Sequence, residues 1–136
     1  MDNSHYTYQL IRTFPQTLDQ IMGEIDSFFQ NGLPQHKSNA ARYTIGLNRL
    51  FSTINPLEFV QDSFLRELGE YLPALQYVAH QIEPSDVVIR PDIVQMIAVA
   101  KYQCETYIHL TEGKALQQGE AITLWLPTSN ARKTNH

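Results

Sequence analysis

Cysteine is nearly absent from this 136-residue chain: Cys104 stands alone, which excludes an internal disulfide and any metal site built from several thiolates. Glycine is also scarce, at six residues. Neither a phosphate-binding Gly-rich loop, a dinucleotide fingerprint nor a Gly-x-Ser-x-Gly nucleophile elbow can be found. Uninterrupted apolar runs stay far below the roughly 20 residues that span a bilayer. The first ten residues, MDNSHYTYQL, lack the basic-then-apolar pattern of a secretory signal. There is no excess of basic charge either. The formal charge is −4, and Arg42, Arg49, Arg66, Arg90, Arg132 and Lys133 are dispersed, which argues against duplex nucleic acid. A cytoplasmic protein is expected.

What is present is the composition of one ordinary globular domain, 43% hydrophobic and 18% charged. The expected boundaries are a single compact unit over 1–127 and a mobile tail over 128–136, where TSNARKTNH offers nothing to a core. The core is centred on PDIVQMIAVAKYQC, residues 91–104. Pro91 and Asp92 suit a first helical turn, and Ile93, Met96, Ile97, Ala100 and Cys104 share one face. Val94, Ala98 and Val99 cover much of the rest, so this helix should be packed on more than one side.

Two amphipathic helices precede it. After Pro15, Leu18, Ile21, Met22, Ile25, Phe28 and Phe29 recur at helical spacing, and Asn31, Gly32 and Pro34 end the run. A second helix is expected to start near Ser38 or Asn39 and to bury Ala40, Tyr43, Thr44, Leu47, Leu50, Phe51 and Ile54. Asn55-Pro56-Leu57-Glu58 is a restart signal for a third, marked by Leu57, Val60, Phe64, Leu68, Tyr71 and Leu75 and bent or split at Pro73. Four segments read as strands. HYTYQLIR, residues 5–12, alternates Tyr6, Tyr8 and Leu10. VVIR, residues 87–90, is short and β-branched. TYIHLT and AITLWLP flank a turn-rich loop, suggesting a C-terminal hairpin, with helix continued through Leu116 as the competing reading. The expected fold is therefore α+β, four main helices on a small sheet, with an all-α bundle as the alternative.

Two segments, YQLIRTFPQTLDQIMGEIDSFFQNGLPQHKSNAARYTIGLNRLFSTI and YIHLTEGKALQQGEAITLWLP, together resemble the GHKL-type ATPase fold of anti-sigma-factor serine kinases and histidine kinases. The resemblance lies in element order and apolar spacing. It implies a nucleotide-binding ancestry and not an active site: where the family carries a catalytic Glu and a metal-ligating Asn, the nearest positions hold Arg49 and Thr53. Arginine cannot act as a base at neutral pH. The family's Asp-x-Gly-x-Gly turn has no counterpart.

Other candidate chemistry is thin. Cys104 and His109, five apart, are poorly spaced to meet on one helix face. His80 with Glu83, and Glu105 with His109, have helical spacing but too few companions for a metal. No catalytic residue, metal ligand or cofactor is assigned. The aromatics offer more: Tyr6, Tyr8, Tyr102, Tyr107 and Trp125 concentrate on the proposed strands, either as sheet packing or as an interface. The leading expectation is a non-enzymatic protein-binding or regulatory module acting through an aromatic and aliphatic patch, with Tyr8, Phe29, Tyr107 and Trp125 as its contacts. Its partner would be another protein, a homodimer being one route. A divergent nucleotide or small-ligand binder is the alternative, and an accessory protein of a nucleic-acid complex the second.

Overall fold

A computed structural model describes residues 4–126, and the expected tail over 128–136 lies outside them. Six α-helices follow in order: α1 (Ser4–Ile11), α2 (Phe14–Asn31), α3 (Pro34–Phe51), α4 (Pro56–Gln61), α5 (Ser63–Gln81) and α6 (Arg90–Gln117). Single 3-10 turns occupy Asp86–Ile89 and Ile122–Trp125.

The long helices α2, α3, α5 and α6 form a closed ring in which each packs on the next and α6 returns to α2. Their inward stripes follow helical spacing: Leu18, Ile21, Ile25 and Phe28 from α2, Ala40, Thr44, Leu47 and Phe51 from α3, Leu65, Leu68, Leu72 and Leu75 from α5, and Ile93, Ile97, Ala100 and Cys104 from α6. Polar contacts fix the alignment. Arg90 holds Asp26 through two bonds, at 2.7 and 3.2 Å, and Lys101 donates to Asp19 at 2.8 Å, setting α2 antiparallel to α6. Such exposed pairs contribute at most about 1 kcal/mol each, so they align helices that burial holds together. Between α2 and α3, Glu24 Oε1 meets His36 Nδ1 at 2.8 Å and accepts from Asn39 at 3.2 Å. The bond from His36 holds the Glu24 carboxyl below its ordinary range.

Local chemistry sets the boundaries. Gly32, at φ 70°, closes α2 in the left-handed conformation, and its N–H reaches Phe28 O at 2.8 Å. Pro34 then begins α3 at once, so the helix starts four residues before the Ser38 anticipated from side-chain caps. Asn55 caps α4 as its sequence signals. The third helical pattern is split at Asp62, not at Pro73, because the Asp62 carboxylate accepts from Phe64 N and Leu65 N and starts a new helix. Pro73 stays inside α5, with the Asn48 amide of α3 bonded to the carbonyl of Leu72 before it at 3.0 Å.

The expected α+β architecture is overturned: no strand or sheet exists among the described residues, and the all-α alternative is the fold. Of residues 5–12, expected as a strand, 5–11 fall in α1 and Arg12 in the turn after it; Thr7, Tyr8 and Ile11 are the buried positions and Tyr6 faces out. The period-two aromatics were misleading because α1 is chosen by partners distant in sequence. VVIR leaves Val87 and Val88 exposed as it turns into α6. The expected C-terminal hairpin is replaced by continuous helix to Gln117, with Cys104, Tyr107, Thr111 and Ala115 on one buried stripe. Both segments that carry the ATPase resemblance are therefore helical or 3-10 where that resemblance places strands.

Candidate functional site

The end of the bundle opposite the α2–α3 turn is assembled from pieces too short to close it. α3 ends at Phe51, and Ser52 and Thr53 satisfy its last carbonyls by bonding back to Arg49 O and Leu50 O at 2.6 Å each. α4 is six residues held between two capping side chains, Asn55 and Asp62. The register change at Asp62 turns Leu57 and Val60 outward, to 67% and 74% exposed, although their sequence spacing continues the buried stripe of α5.

On the other side α6 runs on past the bundle. Gly119, at φ 78°, reverses the chain, and Glu120 N bonds Ala115 O at 2.9 Å. The 3-10 turn then carries Trp125 back against α1 and α6, where it forms a second small core with Tyr8 and Ala115. Tyr8 and Trp125 meet edge to face with centroids 5.7 Å apart. The indole N–H donates to Glu120 Oε1 at 2.8 Å, and Gln9 Nε2 donates to Trp125 O at 2.6 Å. His5 lies on the indole at 3.8 Å. α1 is also tied to the α3–α4 region, through Thr7 Oγ1 donating to Glu58 at 2.9 Å and a short bond between the Tyr6 and Thr53 hydroxyls. Tyr8 OH donates to Glu112 at 2.7 Å; burial first, then that bond and the Glu112 charge, push the phenol up to about 12.

A cleft of about 390 Å³ remains between α4 and the start of α5 on one side and the end of α6 with Trp125 on the other. Its walls include Leu65, Tyr107, Thr111, Ala115 and Trp125, and its mouth carries Glu58, Asp62, Glu120, Lys114 and His5. The Thr7 hydroxyl donates to Glu58, two α5 amides to Asp62 and the indole N–H to Glu120, whose Oε1 also lies 4.0 Å from His5 Nε2.

Of the four expected contact residues, the structure brings three together. Tyr8, Tyr107 and Trp125 lie at this end, but at 1%, 6% and 6% exposed they build the cleft's walls and supports, not an outer patch. Phe29 is at the far end of α2, half-buried against the main core with its ring 6.3 Å from that of Phe28. Sequence reasoning missed Leu57 and Val60 as surface residues, and Glu58, Asp62 and Glu120 as a group. The Asp62-Ser63 pair, itself a capping signal, could have revealed the break.

Elsewhere the chemistry is quiet. Among the described residues no cluster of three or more His, Cys, Asp or Glu could hold a metal ion. His80 bonds its own helix at Gln76 O, and Glu83 lies 3.7 Å from Lys37. Cys104 is fully buried, and burial followed by the Glu105 charge pushes its thiol up to about 12, while His109 faces solvent. No described helix is long and apolar enough to cross a membrane. The chain matches no protein-family model, no curated protein and no solved structure.

Proposed function

We propose that this protein is a non-catalytic binding module that engages a protein partner through the cleft end of its bundle. One observation carries the reading: Leu57, at 67% exposure, lines the cleft beside Tyr107 and Trp125, and Val60, at 74%, stands exposed one turn further along the same short helix. Isolated exposed aliphatics are ordinary on protein surfaces, but exposed aliphatics at a concave site are where partners dock. Burying both would contribute about 2–4 kcal/mol before ordering costs. Tyr8, Tyr107 and Trp125 serve this face by holding its shape.

The test uses paired baits, wild type and the Leu57→Ser/Val60→Ser double variant, whose changes lie on the surface and should leave the melting curve unchanged. A protein retained by the first and lost from the second supports the reading. Identical retained sets refute it. Sedimentation of the same pair covers a second copy as the partner: concentration-dependent association lost in the variant would identify a homodimer through this face.

A further inference from the structure

One side of the cleft is built from a part of the fold that has its own small core. Tyr8, Ala115 and Trp125 pack as a cluster separate from the main one, whereas Ile11, the last residue of α1, is packed in the main core. Each long helix of the ring turns at least four side chains inward, so the ring is held by far more burial than these three residues provide. Segments with few buried apolar contacts are the ones that open locally while the rest stays folded. We infer that α1 and residues 118–126 form one clasp that lets go of the ring as a unit and takes one side of the cleft with it. The motion is argued from packing; its meaning for function rests on the binding role proposed above.

Both pieces have a hinge. Gly119 sits at φ 78°, a conformation that side chains rarely adopt, and no described atom lies within 4 Å of where its Cβ would be, so a substitution there acts through the backbone alone. Arg12 and Thr13 form the turn between α1 and α2. Between the hinges the two pieces cover each other. Gln9 Nε2 donates to Trp125 O at 2.6 Å, and the Tyr8 ring meets the indole edge to face. If either piece left alone, the other would lose its cover, so release of one promotes release of both. Four cleft-lining residues, His5, Gln118, Glu120 and Trp125, belong to the clasp, while Leu57, Leu65 and Tyr107 belong to the rest. The opened form therefore has no cleft, and an occupant bridging the two sides holds the clasp shut. Present at about a hundred times its dissociation constant, it would slow the opening-dependent exchange about a hundredfold.

Amide hydrogen exchange of the full chain, followed residue by residue by NMR, tests this without a partner. The helical amides of α1, and those of Gly119, Glu120 and Leu124, which bond Leu116 O, Ala115 O and Ala121 O, should exchange through a common opening. Their protection should be at least about tenfold below that of amides in α2, α3 and α5, and should depend only weakly on low urea concentrations. Gly119→Ala should speed the amides of α1 and of 118–126 by the same factor, at least about fivefold, and leave α2, α3 and α5 unchanged. Thr7→Val is the reciprocal variant. It removes the bond to Glu58 while keeping the side chain's shape, and it should speed residues 119–124 together with α1.

Acceleration confined to 118–126 in the first variant, or to α1 in the second, would make the two pieces independent and overturn the inference. Equal protection of clasp and ring, with every amide responding alike to Gly119→Ala, would overturn it too, since the clasp would then open only with the whole fold. Neither result touches the paired baits, which judge the cleft's binding separately; identical retained sets there would remove the function and leave the motion standing.

Discussion

Replacing Tyr8 by phenylalanine removes one hydroxyl and leaves the rest of the clasp between α1 and α6 in place, including the ring's edge contact with Trp125. That hydroxyl donates to the Glu112 carboxylate at 2.7 Å, and a bond to a charged acceptor is worth about 1.5–3 kcal/mol. Glu112 is only half-buried, so its carboxylate regains water in the variant, and the expected loss is at the lower end, about 1.5 kcal/mol at pH 8. The pH dependence makes the prediction specific. In the unfolded chain the phenol ionises near its ordinary value of 10; folded, it keeps its proton up to about 12. Between those values folding takes up a proton, so the stability of the wild type falls by about 1.4 kcal/mol per pH unit, a loss the phenylalanine variant does not share. The wild-type advantage should be full below pH 10, shrink above it and reach zero near about pH 11. Urea unfolding followed by circular dichroism at a series of pH values measures both curves, and the other six tyrosines are common to the two proteins. An advantage constant from about pH 8 to 11 would refute the buried, proton-donating role assigned to Tyr8.

Four further outcomes are expected. Cys104 should react with a thiol reagent at pH 8 at least about a thousandfold slower in the native protein than in urea, since a buried thiol with its ionisation pushed to about 12 is almost wholly protonated; rapid native labelling would place it at the surface. Asp62→Ala should cost about 1–2 kcal/mol by removing the cap shared by Phe64 N and Leu65 N, and Gly32→Ala about 1 kcal/mol through its positive φ, since Pro84 at 3.5 Å leaves room for the methyl; urea midpoints unchanged in either variant would contradict the assigned boundary. Millimolar Mg-ATP should leave the melting temperature unchanged, whereas a nucleotide at about a hundred times its dissociation constant would add about 2.7 kcal/mol and raise it by several degrees.

The elements legible in the sequence were those whose partners are near in the chain. α2, α3 and the first half of α6 carry unbroken helical stripes, and their neighbours repeat the pattern within a few tens of residues. The segments misread were those decided at a distance. Nothing within α1 announces that Thr7 will meet Glu58 or that Tyr8 will meet Glu112, 104 positions away. Local alternation of aromatics then favoured a strand, and the same aromatics favoured a hairpin around Tyr107 and Trp125. Leu57 and Val60 were misplaced for the opposite reason. Their spacing fits the following stripe so well that only the capping geometry at Asp62 shows the phase to be broken there. The cleft was therefore invisible as a site, although three of its supporting aromatics were singled out.

The clasp joining α1 to the turn after α6 also fixes an order of events. Side-chain bonds from α1 to Thr53, Glu58, Glu112 and Trp125 reach 47 to 116 positions ahead, the farthest of them from Gln9 to Trp125. On a growing chain the four-helix ring can begin to assemble from neighbours, but α1 must wait, with the ring of Tyr8 uncovered, until the tryptophan has been made. Closing so long a loop adds little entropy cost beyond that of a shorter one, about 0.6 kcal/mol per doubling, so the delay is one of time more than of stability. The cleft, whose wall is that tryptophan, accordingly cannot close before residue 125 has been made.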